Sequence, residues 1–216
     1  MKTDKELGEK VHKHLYELGI ETPTNNIDKY NKIEKLELIA EAHKDIMQLL
    51  GLNLQDDSLK DTPSRVAKMY VNEIFEGLSY DNFPRMQDMK NKFHADEMVI
   101  EDGIDVSSTC EHHFQNIEGT AKVAYIPGKK VLGLSKLNRI VRFYSKRPQI
   151  QERLTLQIQA ALSFILETDD VAVEIKAVHH CVKSRGIEDK NCITTTRKLG
   201  GCFKKEAEAR AEFLNS

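Results

Sequence analysis

Tryptophan is absent from this sequence, aromatic residues make up only 6%, and four cysteines are spread over 216 residues. So few cysteines form no disulfide framework, so stability must come from an ordinary hydrophobic core and the compartment expected is the reducing cytoplasm. No apolar run approaches the ~18 residues of a membrane span. The charged opening MKTDKELGEK lacks the apolar centre of an export signal, so no membrane partner is expected. Charge of one sign is missing too: 32 Lys and Arg against 34 Asp and Glu leave −2, which excludes a global attraction to nucleic acid. Any polyanion must therefore meet a local cluster of cations. The length suits one large domain, or one domain with a helical extension.

What is present is concentrated in two fragments. Ser107–Phe114, SSTCEHHF, holds Cys110, Glu111, His112 and His113; about 70 residues later AVHHCVKSRG supplies His179, His180 and Cys181. Cys110 and His113 are three apart, which suits one turn bending both toward one ion, with Cys181 arriving from a distant strand. A Cys₂His set leaves a tetrahedral zinc with one open position, whereas a closed structural knuckle would recruit His179 or His180 as fourth ligand. Thiolates favour zinc over magnesium or calcium. Cys192 and Cys202 are expected to be ordinary small side chains.

The first 60 residues are expected to be helical and polar. Leu7, Val11, Leu15 and Leu18 recur at helical steps before Gly19, and a second pattern runs from about Ile33 to Leu50 before Gly51. Residues 61–216 form the expected catalytic unit. Its first helix starts at DTPSR, with Thr62 as N-cap, Pro63 at the first helical position and a stripe of Val66, Tyr70, Ile74 and Leu78. Arg65 and Lys68 lie near its start, either as a solvated face or as part of a cation cluster.

Strands are expected over Glu97–Val106, with a bulge at Gly103, and over EGTAKVAYIP, antiparallel to one another. Ser135 is the expected cap of the next helix, with Lys136 and Arg139 on its first turn, where free N–H groups already favour anions. Pro148 is expected to open a further helix with Gln151 and Glu152 in its first turn. Glu152 there suits the dipole, or can accept from the paired N–H groups of a guanine. In VAVEIKAVHHCV, alternation puts His179 and Cys181 on one face and His180 on the other. Lys183, Arg185 and a turn at Gly186 follow, then a β-rich stretch to Gly200-Gly201 and one charged helix from Phe203 to Leu214.

The fragments DTPSRVAKMY, STCEHHF, GLSKLNRIV, RPQIQERLT and AVHHCVKSRGI, in this order, resemble the GTP cyclohydrolase I family, from about Asp57 to Phe203. The resemblance implies an α+β T-fold: an antiparallel sheet with paired helices that closes into a barrel only when copies assemble, as two stacked pentamers with active sites between subunits. It implies hydrolysis of GTP at C8, loss of formate and formation of 7,8-dihydroneopterin triphosphate, the entry to folate and pterin cofactors. Zinc would be held by Cys110, His113 and Cys181 and would activate water for attack at C8. His112 and His179 match catalytic histidines, and Glu152 the guanine anchor with Gln151 beside it. Ser135 matches a residue near the ribose and phosphates. Lys136, Arg139, Arg185, Arg65 and Lys68 match the triphosphate cluster, five cations against about four negative charges. His180 departs from the larger apolar or aromatic residue usual in the family, and only a packing change is expected from it. The alternatives are a nucleotide-binding module with a structural zinc, and another T-fold enzyme acting on a pterin or deazapurine, which would lack the triphosphate cluster.

Overall fold

The computed structural model describes residues 2–25 and 29–216. Two helices come first, α1 (Lys5–Glu17) and α2 (Lys32–Leu49), and both have side-chain caps that anchor their starts. The Asp4 carboxylate accepts the Leu7 N–H at 3.1 Å. Asn31 and Glu34 form a reciprocal capping box: Asn31 Oδ1 accepts from Ile33 and Glu34 N–H, and Glu34 Oε2 accepts from Asn31 N–H at 2.7 Å. Val11 and Leu15 of α1 are fully buried in the main core. In α2 only Met47 is buried, while Ile33, Leu38, Ile46 and Leu49 stay exposed.

The next helix, α3 (Thr62–Met69), starts one residue earlier than expected. Thr62 is its first helical residue and Asp61 sits in the capping position without a side-chain cap bond. The expected four-residue stripe does not stay on one helix either. After Met69 the chain widens into a π turn over Tyr70–Ile74 and then tightens into 3₁₀ turns at Glu76–Leu78 and Tyr80–Asn82. Gly77 supplies the physical reason. Its N–H donates to the Lys146 carbonyl at 2.9 Å, and a Cβ there would stand 2.1 Å from the Phe143 carbonyl oxygen, so close backbone approach ends the helix.

The strands are β1 (Asp88–Lys90), β2 (Val99–Cys110), β3 (Asn116–Tyr125) and β4 (Lys130–Leu132). After α4 (Leu134–Ser145) come β5 (Pro148–Gln149), α5 (Gln151–Leu166), β6 (Val171–His179), α6 (His180–Lys183), β7 (Thr194–Leu199), α7 (Gly201–Lys205) and α8 (Ala207–Asn215). The main sheet has the order β5-β2-β3-β6-β7, antiparallel throughout except for the two-residue β5–β2 contact. The expected bulge is present: the β2–β3 register shifts between Glu101 and Ile104, around Gly103 at φ +72°. β1 and β4 form a separate antiparallel pair.

Helices α4 and α5 lie against one face of the sheet and enclose Leu137, Ile140, Leu154 and Ile158 with β-strand residues Ile117, Val123 and Val173. On the other face α7 and α8 bring Phe203 and Phe213 onto Ala124 and Ala172. These two helices replace the single terminal helix expected, because Glu206 between them is extended (φ −106°, ψ 131°). Pro148 likewise opens β5 rather than a helix, and α5 begins at Gln151. β5 covers only Thr109 and Cys110, so the rest of β2 and all of β7 are open sheet edges among the described residues.

One buried charge ties the amino-terminal segment to this core. Arg147, 1% exposed, donates from Nη1 to Glu21 Oε1 at 2.7 Å, and its guanidinium lies 4.7–4.8 Å from the rings of Tyr80, Phe143 and Tyr144. The rings cover its unpaired Nε and Nη2. Tyr80 also donates to Glu21, and burial pushes its hydroxyl up to about 12. Glu21→Ala, which strands a buried cation, is expected to cost about 3–5 kcal/mol. Chemical denaturation checks this; a loss below about 1 kcal/mol would mean that the rings alone hold Arg147.

Candidate active site and metal centre

Cys110 ends β2, and the chain reverses at once: Cys110 N–H donates to the Gln115 carbonyl at 2.8 Å and Phe114 N–H to the Cys110 carbonyl at 2.9 Å. Glu111, His112 and His113 form the tip of this turn. Phe114 takes φ +52°, unusual for a bulky residue, and its ring is held against Phe75 (5.3 Å) and Tyr70 (6.2 Å) of the π-turn region. The aromatic clasp was not legible beforehand.

The donor atoms of Cys110, His113 and Cys181 all lie within 4.8 Å of one another. Ligands of a tetrahedral zinc stand ~3.6–3.8 Å apart, from bond lengths of ~2.0–2.3 Å, so side-chain shifts of about 1 Å close this set on an ion. Burial and the neighbouring Cys110 sulfur push the Cys181 thiol up. Among the described residues no fourth donor joins the group. His179 and His180 are both engaged elsewhere, His179 with Gln151 at 2.8 Å and His180 with Glu118 at 3.3 Å. The donor set therefore fits an open zinc site better than a closed one. The parity expectation is corrected in detail: β6 stops at His179, and Cys181 reaches the cluster from the single turn of α6 rather than from a strand.

His179 has a defined tautomer. The Gln151 amide nitrogen faces the carbonyls of Ile175 (3.1 Å) and Thr194 (3.0 Å) and the Thr196 hydroxyl (3.1 Å), so the amide oxygen is the atom turned to His179. His179 Nε2 must then donate, leaving Nδ1 as the free acceptor. Burial presses this imidazole below its ordinary value, while the Glu152 carboxylate pulls it part of the way back. Gln151 is 1% exposed, with its amide committed to protein partners, whereas Glu152 beside it is exposed. His112 is exposed, with Nδ1 3.8 Å from Cys110 Sγ.

The expected cations do not all gather. Arg185 lies near enough to Cys181 to draw its thiol down, against the larger upward push of burial. Arg65 pairs with Asp61 of its own helical start at 3.3 Å, and Lys68 is exposed on α3. Ser135 is exposed in the first turn of α4 but is not its cap; that position is Gly133, and Arg139 falls on the second turn. Loss of water, then Arg139 and Arg85, hold the Lys136 ammonium below its usual value. Arg85 was missed because its placement depends on the amino-terminal segment, through the Thr3–Pro84 bridge and the Arg85 N–H bond to the Lys2 carbonyl, which no local pattern announces.

Lys136 and Arg139 also lie far from the cysteines. Asn138 of α4 donates to Glu101 at 3.3 Å, at the start of β2, and the chain returns to Thr109 and Cys110 only after α4, through β5. Glu101 stands opposite Val123 and Thr109 opposite Asn116 on β3, so the start of β2 lies roughly 23 Å from Thr109 at ~3.3 Å per residue. The spare cysteines differ from one another. Cys192 is exposed, while burial and then Asp170 push the Cys202 thiol up to about 11 and keep it protonated near neutral pH.

Fold and site together define a class: an α+β protein of T-fold type in which two thiols and an imidazole meet at the β2–β3 turn, near a histidine held by a buried glutamine amide. The GTP cyclohydrolase I family model matches residues 39–216. The chain is 55% identical over 207 residues to GTP cyclohydrolase 1 of Shewanella sp. (strain MR-7), covering 95% of each chain. It is equally identical, over 95% of this chain and 94% of the relative, to GTP cyclohydrolase 1 of Erwinia tasmaniensis. The chain belongs to the GTP cyclohydrolase I family. The tautomer assignment is tested by ¹⁵N chemical shifts of labelled His179: the neutral ring should carry its proton on Nε2, and Gln151→Leu should give a mixture. An Nδ1-protonated ring in the unaltered protein would contradict the assignment.

Proposed function

We propose that this chain is a zinc-dependent GTP cyclohydrolase that opens the guanine imidazole ring at C8, releases formate and forms 7,8-dihydroneopterin triphosphate. The observation that carries the reading is the three-donor cluster of Cys110, His113 and Cys181, with both would-be fourth ligands turned away and Glu152 alongside. Zinc bound there would supply a Lewis acid that makes a water nucleophilic near pH 7. Everything else falls to the chain's own side chains. Glu152 accepts from guanine N1–H and the 2-amino group and fixes the base. His179, with Nδ1 free, and the exposed His112 carry protons to and from the imidazole nitrogens as the ring opens. Ser135, Lys136, Arg139, Arg185, Arg65 and Lys68 hold the ribose and triphosphate.

The distribution of these residues favours assembly. Lys136 and Arg139 lie on the helix that meets the start of β2, while Cys110 ends that strand, which favours a site completed with these two cations from another copy. The open edges of β2 and β7 and the exposed apolar side of α2 are surfaces that a homo-oligomer, a decamer of two stacked pentamers, would cover. Among the described residues no helix is long and apolar enough to cross a membrane.

Cys181→Ser is expected to lose stoichiometric zinc and formate release together. Full zinc content with an unchanged rate would remove Cys181 from the centre. Glu152→Ala should raise the KM for GTP at least tenfold while zinc is retained, and an unchanged KM would refute base anchoring. Mixed assemblies of Cys181→Ser and Lys136→Ala subunits should recover activity that neither shows alone; no recovery after verified subunit exchange would place both halves of the site in one chain.

A further inference from the structure

Between the turn that carries Cys110, His112 and His113 and the helix that carries Glu152 stands an ion pair with no part in ligand or base contact. The Glu111 carboxylate, at the tip of the turn, accepts from Arg153 Nη2. Arg153 is the neighbour of Glu152 in the first turn of α5. Its Nε also donates to Gln149 Oε1 at 3.2 Å, and Nη2 to the Pro148 carbonyl at 3.3 Å. Glu111 is held a second time through its main chain, whose N–H donates to the Gln149 carbonyl at 3.0 Å. Gln149 is itself fully buried and donates to the Tyr144 carbonyl (2.9 Å) and to Gln157 Oε1 (2.8 Å), so the whole arrangement is anchored in the core.

Most ion pairs on protein surfaces contribute little, because water screens them and ordering two long side chains costs entropy. This pair differs in burial and in context. Its side chains are 27% (Glu111) and 13% (Arg153) exposed, the Arg153 donors are shared among three acceptors on two segments, and the pair adds a side-chain link between the tip of the turn and the first turn of α5 to the main-chain link through β5. We propose that Glu111 and Arg153 are positioning residues that fix the metal-binding turn relative to Glu152, and so set the separation between the zinc and the anchored base. The proposal rests on the reading of Cys110, His113 and Cys181 as the metal centre and of Glu152 as the guanine anchor. Without the pair the turn keeps only main-chain attachments, at Cys110, at Gln115 and from Glu111 N–H to Gln149, which leave its tip and the first turn of α5 more room to shift, and a displacement of ~1 Å at a reacting centre costs on the order of 100-fold in rate.

The test uses the full-length assembled protein as Glu111→Gln, Arg153→Gln and the double variant. Zinc affinity is measured by competition with a chromophoric chelator in the absence of GTP, alongside kcat and KM for formate release and thermal midpoints. Each single variant should bind zinc about 10-fold more weakly and lose about 10–100-fold in kcat at saturating zinc, the range expected for partners that orient metal ligands. KM for GTP should move much less. The double variant should be no worse than the worse single, since either change already removes the link. Zinc affinity and kcat at unaltered values, with only the thermal midpoint lowered, would make the pair merely structural and overturn the proposal; so would losses that simply add in the double variant. Should Arg153→Gln fail to assemble, Arg153→Lys replaces it, keeping the cation while losing the Nε contact to Gln149. Because the zinc measurement needs no substrate, an unaltered protein that releases no formate would defeat the functional reading while leaving the link to be judged on zinc affinity alone.

Discussion

The central strand β3 is the constraint on which the site depends. It pairs with β2 on one side and β6 on the other, and its first residues do both at once: Ile117 stands opposite Ser108 of β2 and opposite His179 of β6. That double register delivers the end of β2, with Cys110, and the end of β6, with His179 and Cys181, to the same edge of the molecule from positions about 70 residues apart. Side-chain direction alternates along a strand, so a slip of one residue in either pairing would turn Ile117, now fully buried, toward solvent and move the cysteines apart. The apolar core thus enforces the geometry of a polar site that contributes little to stability itself. The Gly103 bulge lies well upstream, so the irregularity in β2 leaves the register near Cys110 intact.

A second layer of organisation concerns what one chain leaves unfinished. Its sheet has two open edges, a long helix with most of its apolar residues in solvent, and basic residues roughly a strand's length from the thiols they are proposed to serve. Each of these would be costly or idle in an isolated monomer. Taken together they are what the proposed assembly of copies would cover and complete. Loss of water and then the like charges of Arg139 and Arg85 lower Lys136, which fits the proposed role of this region in meeting an anion.

Much of this was legible in the sequence because the informative residues sit in short local patterns. The spacing of Cys110 and His113, the strand alternation up to His179, the bulge at Gly103 and the helix ends near Gly19 and Gly51 all follow from neighbours within a few positions. The errors arose where a distant contact decides the local structure. Gly77 packs against the carbonyls of Phe143 and Lys146 and stops a helix whose apolar stripe continues in the sequence; Thr62 and Ser135 have capping chemistry but lie inside their helices, past the caps at Asp61 and Gly133. Pro148 looks like a helix start, yet its pairing with Thr109 makes it a strand. Arg85, the Phe114 clasp and the Arg153 network were invisible for the same reason, since each needs a partner separated by tens of residues.

The central claim, a zinc centre that hydrolyses the guanine ring of a triphosphate, is tested most directly by incubating the zinc-loaded protein with GTP and, separately, with ATP. Formate and, after oxidation, pterin fluorescence are then measured. Formate and a fluorescent neopterin product from GTP, with neither from ATP, is the expected result, because Glu152 can accept from guanine's N1–H and amino group but finds no such pair on adenine. GTP that binds yet yields no formate would contradict the claim and leave the cysteines as a structural zinc site in a nucleotide-binding protein.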